Sequence, residues 1–243
     1  MKINGTIVLL HGFGMHQGVW DDLIPFLESK APIKVPKMSH LTFEDLDEYV
    51  QWVHHYLETE RVKDPILVGF SMGGYIALGF AEKYPKVLKG LVLFHSSAMA
   101  DTEARKMARQ KTIEFIKKNG AELFLEEFHP KIFGPKFTQE HPEQVKQFAQ
   151  THGTIDPDVL IAGTQAMKGR KGRMHILTSL PIPIGMIIGG QDPFISKEDA
   201  IQQVSIIQKP YVLMLDDVGH AGMVEAPEIS AQFLLHFAEK CSN

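Results

Sequence analysis

The stretch PILVGFSMGGYIA, residues 65–77, constrains the fold more than any other part of this chain. PILVGF is a short, continuously apolar run, the pattern of a strand buried on both faces. MGGYIALGFAEKYP reads as a helix that Pro85 stops. Only Ser71 separates the two. A strand that becomes a helix across one residue forces that residue into a strained backbone. The residues two positions away on each side must then be small. Gly69 and Gly73 meet that need. Such a turn lifts the Ser71 hydroxyl above the sheet edge and sets the Met72 N–H beside it, at a helix N-terminus.

The same alternation runs through the first hundred residues. TIVLL (6–10), IKVP and VLKGLVLFHSS read as further strands. WDDLIPFLESK reads as a helix despite Pro25. A second helix opens at Thr42, which stands at capping-box spacing from Asp45. Strands alternating with helices call for right-handed crossovers and a parallel sheet. From residue 101 to 173 the pattern is helical only. Strands resume at IPIGMIIGG (182–190) and YVLMLDD (211–217), and PEISAQFLLHFAEK closes the chain as a helix. The expected organisation is a core of residues 1–100 and 174–243, carrying a helical insertion at 101–173. The insertion holds 13 Lys+Arg against 10 Asp+Glu, on a remainder with 12 against 19. Solvated helix faces are the plain reading of that excess; steering of anionic substrates is the other.

A serine hydroxyl is a poor nucleophile without a base. Of the 12 histidines, His220 in DDVGHAGMVEAPE lies between the last strand and the last helix, at the sheet edge that also carries Ser71. His11 reads as structural. His54, His55 and His236 fall within helices, and His129, His141 and His152 fall in the insertion. His95 ends a strand at the right edge and is expected to line a pocket. The base needs an orienting carboxylate. Asp192 in IIGGQDPFIS follows the penultimate strand on the same edge; Asp216 and Asp217 stand too close to His220 in sequence to be preferred. HGFG (11–14) lets the backbone approach a substrate, so the Phe13 and Met72 N–H groups are expected to form an oxyanion hole. Phe13, Met72, Phe94, Phe194 and Met223 are the expected pocket floor. Ile113, Phe115, Ile116, Leu123, Phe124, Leu125 and Phe128 of the insertion are the apolar residues from which a roof is expected; the plain alternative is that they form only the insertion's own core.

Other chemistries lack their residues. The net charge of −4 offers no basic excess for nucleic acid. Cys241 is the one cysteine, so neither an intramolecular disulfide nor a thiolate zinc cluster can form. His54 and His55 diverge around their helix and make no metal pair. HGFG has too few glycines for a dinucleotide, and GFSMGG lacks the lysine of a phosphate loop. The N-terminal apolar run is too short for a signal peptide, and no run is long enough to span a membrane. The expected setting is cytoplasmic, as a monomer or homodimer.

HGFG, GFSMGG, GGQDPF and GHAGMVEAP, in that order, resemble the α/β-hydrolase superfamily, and the order Ser, Asp, His matches its triad. The resemblance covers nearly the whole chain, with 101–173 as the variable cap. Members commonly carry two strands ahead of the one leading to the HG turn, whereas about five residues precede it here. The resemblance therefore implies a reduced, all-parallel sheet of six strands. It also implies an esterase-like serine hydrolase without a cofactor, and the apolar residues of the insertion and pocket floor point to a small apolar acyl substrate. Carbon–carbon bond hydrolysis, perhydrolysis, cyanohydrin cleavage and ligand sensing with little turnover are open to the same parts.

Overall fold

A computed structural model describes residues 3–242. Six strands form one sheet: β1 (Thr6–Leu10), β2 (Ile33–Lys34), β3 (Pro65–Phe70), β4 (Gly90–Phe94), β5 (Ile184–Gly189) and β6 (Pro210–Leu215). Their order is β2-β1-β3-β4-β5-β6, and every neighbouring pair is parallel. Successive residues of each strand face opposite sides. Val8, Leu67 and Met186 enter one core, while Ile7, Val68 and Ile187 enter the other. Both faces of β1, β3, β4 and β5 are covered, which is why these strands read as unbroken apolar runs.

Helices α1 (Ile24–Leu27), α2 (Leu46–Thr59) and α3 (Met72–Lys83) connect the first strands. Between β4 and β5 come α4 (Glu103–Asn119), α5 (Ala121–Phe128), α6 (Pro135–Glu140), α7 (Pro142–His152), α8 (Pro157–Gly169) and α9 (Met174–Ser179). After β5 follow α10 (Lys197–Ser205), α11 (Gly222–Glu225) and α12 (Pro227–Cys241). No helix among the described residues is long and apolar enough to cross a membrane.

Two local expectations need correction. Residues 20–30 do not form one helix. A 3₁₀ turn (Gln17–Trp20) is followed by the single turn α1, with Pro25 in its first positions. Proline has no N–H to continue a helix from upstream, but it fits a helix start. Likewise α2 opens at Leu46, where Asp45 caps it by accepting from the Asp47 N–H at 2.8 Å. A short anionic acceptor at the positive helix end outcompetes Thr42.

The topology sets the place of the site. β2 lies on one side of β1 and β3 on the other, so the connections leaving β1 and β3 diverge. The register brings the strand ends level: Leu10 lies opposite Gly69, Phe70 opposite Phe94, and Gly189 opposite Leu215. The loops after β1, β3, β5 and β6 therefore leave from one edge.

Candidate active site

Ser71 occupies the turn between β3 and α3 with φ 51° and ψ −113°. Holding a non-glycine residue there costs on the order of 1–3 kcal/mol. The surroundings hold it from both sides. Its N–H donates to the Phe94 carbonyl at 3.0 Å, and its carbonyl accepts from the Ser96 hydroxyl at 2.7 Å. A Cβ on Gly69 would run into the Gly73 backbone, and one on Gly73 into the Leu10 carbonyl. The glycines thus allow three backbones to converge under the serine. The Ser71 side chain does not cap the helix that it starts, which leaves the hydroxyl to the cavity.

His220 sits between β6 and α11 and is 3% exposed. Its Nδ1 donates to Asp192 Oδ2 at 2.7 Å, leaving Nε2 as the ring's unprotonated nitrogen. Asp192 Oδ1 accepts from the Phe194 and Ile195 N–H groups at 2.8 and 3.1 Å, so the carboxylate cannot rotate freely. Burial alone would raise the Asp192 pKa. The His220 charge and hydrogen bond, with His95 behind, outweigh it and hold the carboxyl well below its usual range. Asp216 and Asp217 point outward, with side chains 80% and 69% exposed, toward Lys197 and Lys136.

Ser71 and His220 open onto one cavity of about 310 Å³, walled in part by Phe13, Phe124, Phe128 and Phe194. Met72 begins α3, so its N–H lies among the helix's first donors, which lack an intrahelical partner. Gly12 lies against Ser71, where an added Cβ would stand 3.3 Å from the serine Cβ, and this brings the Phe13 backbone alongside. Two buried histidines shape that turn. His11 Nδ1 donates to Gly12 O at 2.9 Å while its Nε2 accepts from the Met38 N–H at 3.1 Å. His129 Nε2 donates to Gly14 O at 2.7 Å. Burial lowers the His11 pKa to about 4, which keeps the ring neutral and able to accept.

Four residues expected on the pocket wall are elsewhere. Phe94 and Met223 are fully buried in the core on one sheet face, Phe94 edge-on to Trp20 at 5.4 Å. Phe94 follows the inward alternation of β4 and Met223 lies on the buried side of α11, so neither reaches the cavity. His95 is buried behind Asp192. Its Nε2 accepts from the Gly222 N–H at 3.2 Å, which puts its proton on Nδ1, 3.3 Å from Asp192 Oδ2. Met72 lines a smaller neighbouring cavity, which it shares with Phe13. Of the insertion's apolar residues, Ile116 and Leu125 pack into a core with Leu160, while Phe124 and Phe128 face the cavity.

Glu225 is not among the site residues expected from the sequence. Its carboxylate accepts from the Gly134, Gly219 and Ala221 N–H groups at 2.9 to 3.1 Å. It therefore ties the loop of His220 to the insertion. Burial raises its pKa, partly offset by these three donors. A second tie is the His220 N–H, which donates to Ile132 O at 2.6 Å. The only sequence sign was a carboxylate five residues beyond His220, in a stretch too apolar for a solvated face.

The profile of the Alpha/beta hydrolase family matches residues 7–233, and the chain belongs to this family. It is 28% identical over 246 residues to Lipase 1 of Psychrobacter immobilis, covering 93% of this chain and 74% of that protein. It is 26% identical over 248 residues to the pimeloyl-[acyl-carrier protein] methyl ester esterase of Vibrio vulnificus, covering 96% and 94% of the two chains. The structure of a thermophilic esterase from Thermogutta terrifontis superposes with a TM-score of 0.89 at 22% identity, over 100% of this chain and 92% of that one, and so shares the fold.

Proposed function

We propose that this protein is a serine hydrolase that cleaves carboxylic esters through an acyl-enzyme on Ser71. The observation that carries this reading is the Asp192–His220 hydrogen bond behind a cavity onto which Ser71 also opens. Relatives that are lipases and esterases support it.

In the proposed reaction Ser71 Oγ attacks the ester carbonyl carbon, and its proton passes to His220 Nε2. The carbonyl electron pair moves onto oxygen, which the Phe13 and Met72 N–H groups stabilise. As the carbonyl re-forms, the C–O bond to the alcohol breaks and His220 returns the proton to the leaving oxygen. Water then attacks the acyl-enzyme with His220 again as base, releasing the acid and restoring Ser71. Asp192 stays ionised throughout and stabilises the imidazolium. A cavity of about 310 Å³ suits a small ester and excludes polymers.

The test is turnover of short p-nitrophenyl esters by the wild type and by Ser71→Ala, with mass mapping of the acylated peptide. Multiple turnover by the wild type, a loss on the order of 10⁶ in kcat in the variant, and acyl on the Ser71 peptide are expected. Undiminished turnover by Ser71→Ala would refute the assignment. Saturable ester binding without turnover by the wild type would support a ligand sensor instead.

A further inference from the structure

We propose that the substrate carries a negatively charged group, and that Arg105 and Arg109 of α4 bind it; this rests on the ester-hydrolase reading. One face of α4 lines the cavity through Arg105, Ala108, Arg109 and Thr112, at the i, i+3, i+4, i+7 spacing of a helix stripe. A stripe facing a wholly apolar acyl pocket would be apolar. This one places two guanidinium groups in the wall that holds Ser71 and His220, and no carboxylate lines that wall among the described residues.

The charges around the arginines do not cancel. Arg109 Nε pairs with Asp101 Oδ2, and Arg170 Nη1 pairs with the other oxygen of the same carboxylate at 2.5 Å. Two cations therefore share one anion. Arg170 is buried over the Tyr75 ring, 4.0 Å from its centroid, so Arg109 is the member of the pair that reaches the cavity. Arg105 forms no ion pair among the described residues; its Nη2 donates to the Phe194 carbonyl at 2.6 Å.

A guanidinium carries five N–H donors. Arg105 uses one on that carbonyl, and Arg109 uses one on Asp101 and another on the weak acceptor Met167 Sδ at 3.4 Å. Both side chains are half-buried beside phenylalanine rings, where Coulomb attraction is stronger than in open water. The fork of remaining donors matches the oxygens of a carboxylate or phosphate. The expectation of a purely apolar acyl pocket is revised accordingly: the rings hold the chain and the arginines hold a charged group beyond the ester.

Two matched pairs of esters test this and locate the charge. Monomethyl adipate against methyl hexanoate places it on the acyl side. Acetyl glycerol phosphate against monoacetin places it on the alcohol side. The wild type should prefer the charged member of at least one pair by about tenfold or more in kcat/KM. In R105Q and R109Q the charged ester should lose about tenfold more than its neutral partner, chiefly through KM. Added salt should narrow the wild-type preference.

Equal losses on both members would mean that the arginines only support the loop after Asp192 and would overturn the proposal. A wild-type preference for both neutral esters would do the same. Calorimetric binding of the same esters to Ser71→Ala separates this proposal from the esterase reading. Preferred binding of a charged ester that R105Q abolishes in the Ser71→Ala background upholds the charge recognition even where the wild type does not turn over. Equal binding of charged and neutral esters overturns it.

Discussion

Residues 69–74 and residues 105–112 supply the same cavity by opposite means. The turn after β3 works through backbone. Glycines let Leu10, Gly69 and Gly73 converge, and the strained Ser71 is pinned through its own N–H and carbonyl. Helix α4 works through side chains. Its backbone is regular, and Arg105 and Arg109 reach the cavity from ordinary helical positions. The first region tolerates almost no added atom, whereas the second can change a side chain without moving the chain. On the proposed function, the reaction belongs to the rigid edge of the sheet and the choice of substrate to the helical insertion.

The largest expected effect that would break this comparison lies at Asp192. Asp192→Asn removes the acceptor that orients the His220 ring and should lower kcat on the order of 10⁴ while the fold survives. Asp216→Asn changes an outward-facing side chain and should leave kcat within about twofold. Steady-state kinetics with circular dichroism on both variants decide it. The reverse ranking would show that the rigid edge had been assigned to the wrong acid.

A smaller effect sharpens the comparison, because histidines join the sheet edge to the helical insertion elsewhere as well. The His16 and His152 rings lie 4.1 Å apart, tilted by 38°, and His16 Nε2 donates to Thr151 O at 3.1 Å, tying the turn after β1 to α7. Burial is the main cause that lowers the His152 pKa to about 3 and the His11 pKa to about 4. Both rings stay neutral in the fold, whereas in the unfolded chain they take up protons below about pH 6.5. The unfolded state therefore binds more protons, and stability should fall as pH drops from about 6.5 toward 4 and then 3. Hydrogen exchange should show α7 losing protection before β3 over that range. Loss of protection in β3 first would contradict the picture of a seam that opens ahead of a rigid core.

The same contrast governs what could be read from sequence. The strands were legible because both their faces are buried, and Ser71 because its turn admits so few residues. Asp192 and His220 were legible because parallel strands deliver their loops to one edge. What was missed depends on which helix face meets which strand end. Arg105 and Arg109 look like a solvated face until α4 is laid over the cavity. Glu225 looks like any helix carboxylate until Gly134 arrives from the insertion. Phe94 was misplaced because apolar character alone does not say which side of the strand a ring takes. His95 was placed at the correct edge, but its ring turns inward behind Asp192 rather than toward the cavity.

On the proposed function, Ser71 is the one hydroxyl here activated for attack. Labelling with a fluorophosphonate probe, followed by peptide mapping, tests it most directly. Ser96 and Ser97 are nearby rivals, but both are buried, and their hydroxyls donate to Ser71 O and to Gln203 Oε1. A single labelled peptide bearing the probe on Ser71 is expected, with labelling slowed in Asp192→Asn. Probe on Ser96 or Ser97 with Ser71 unmodified would contradict it.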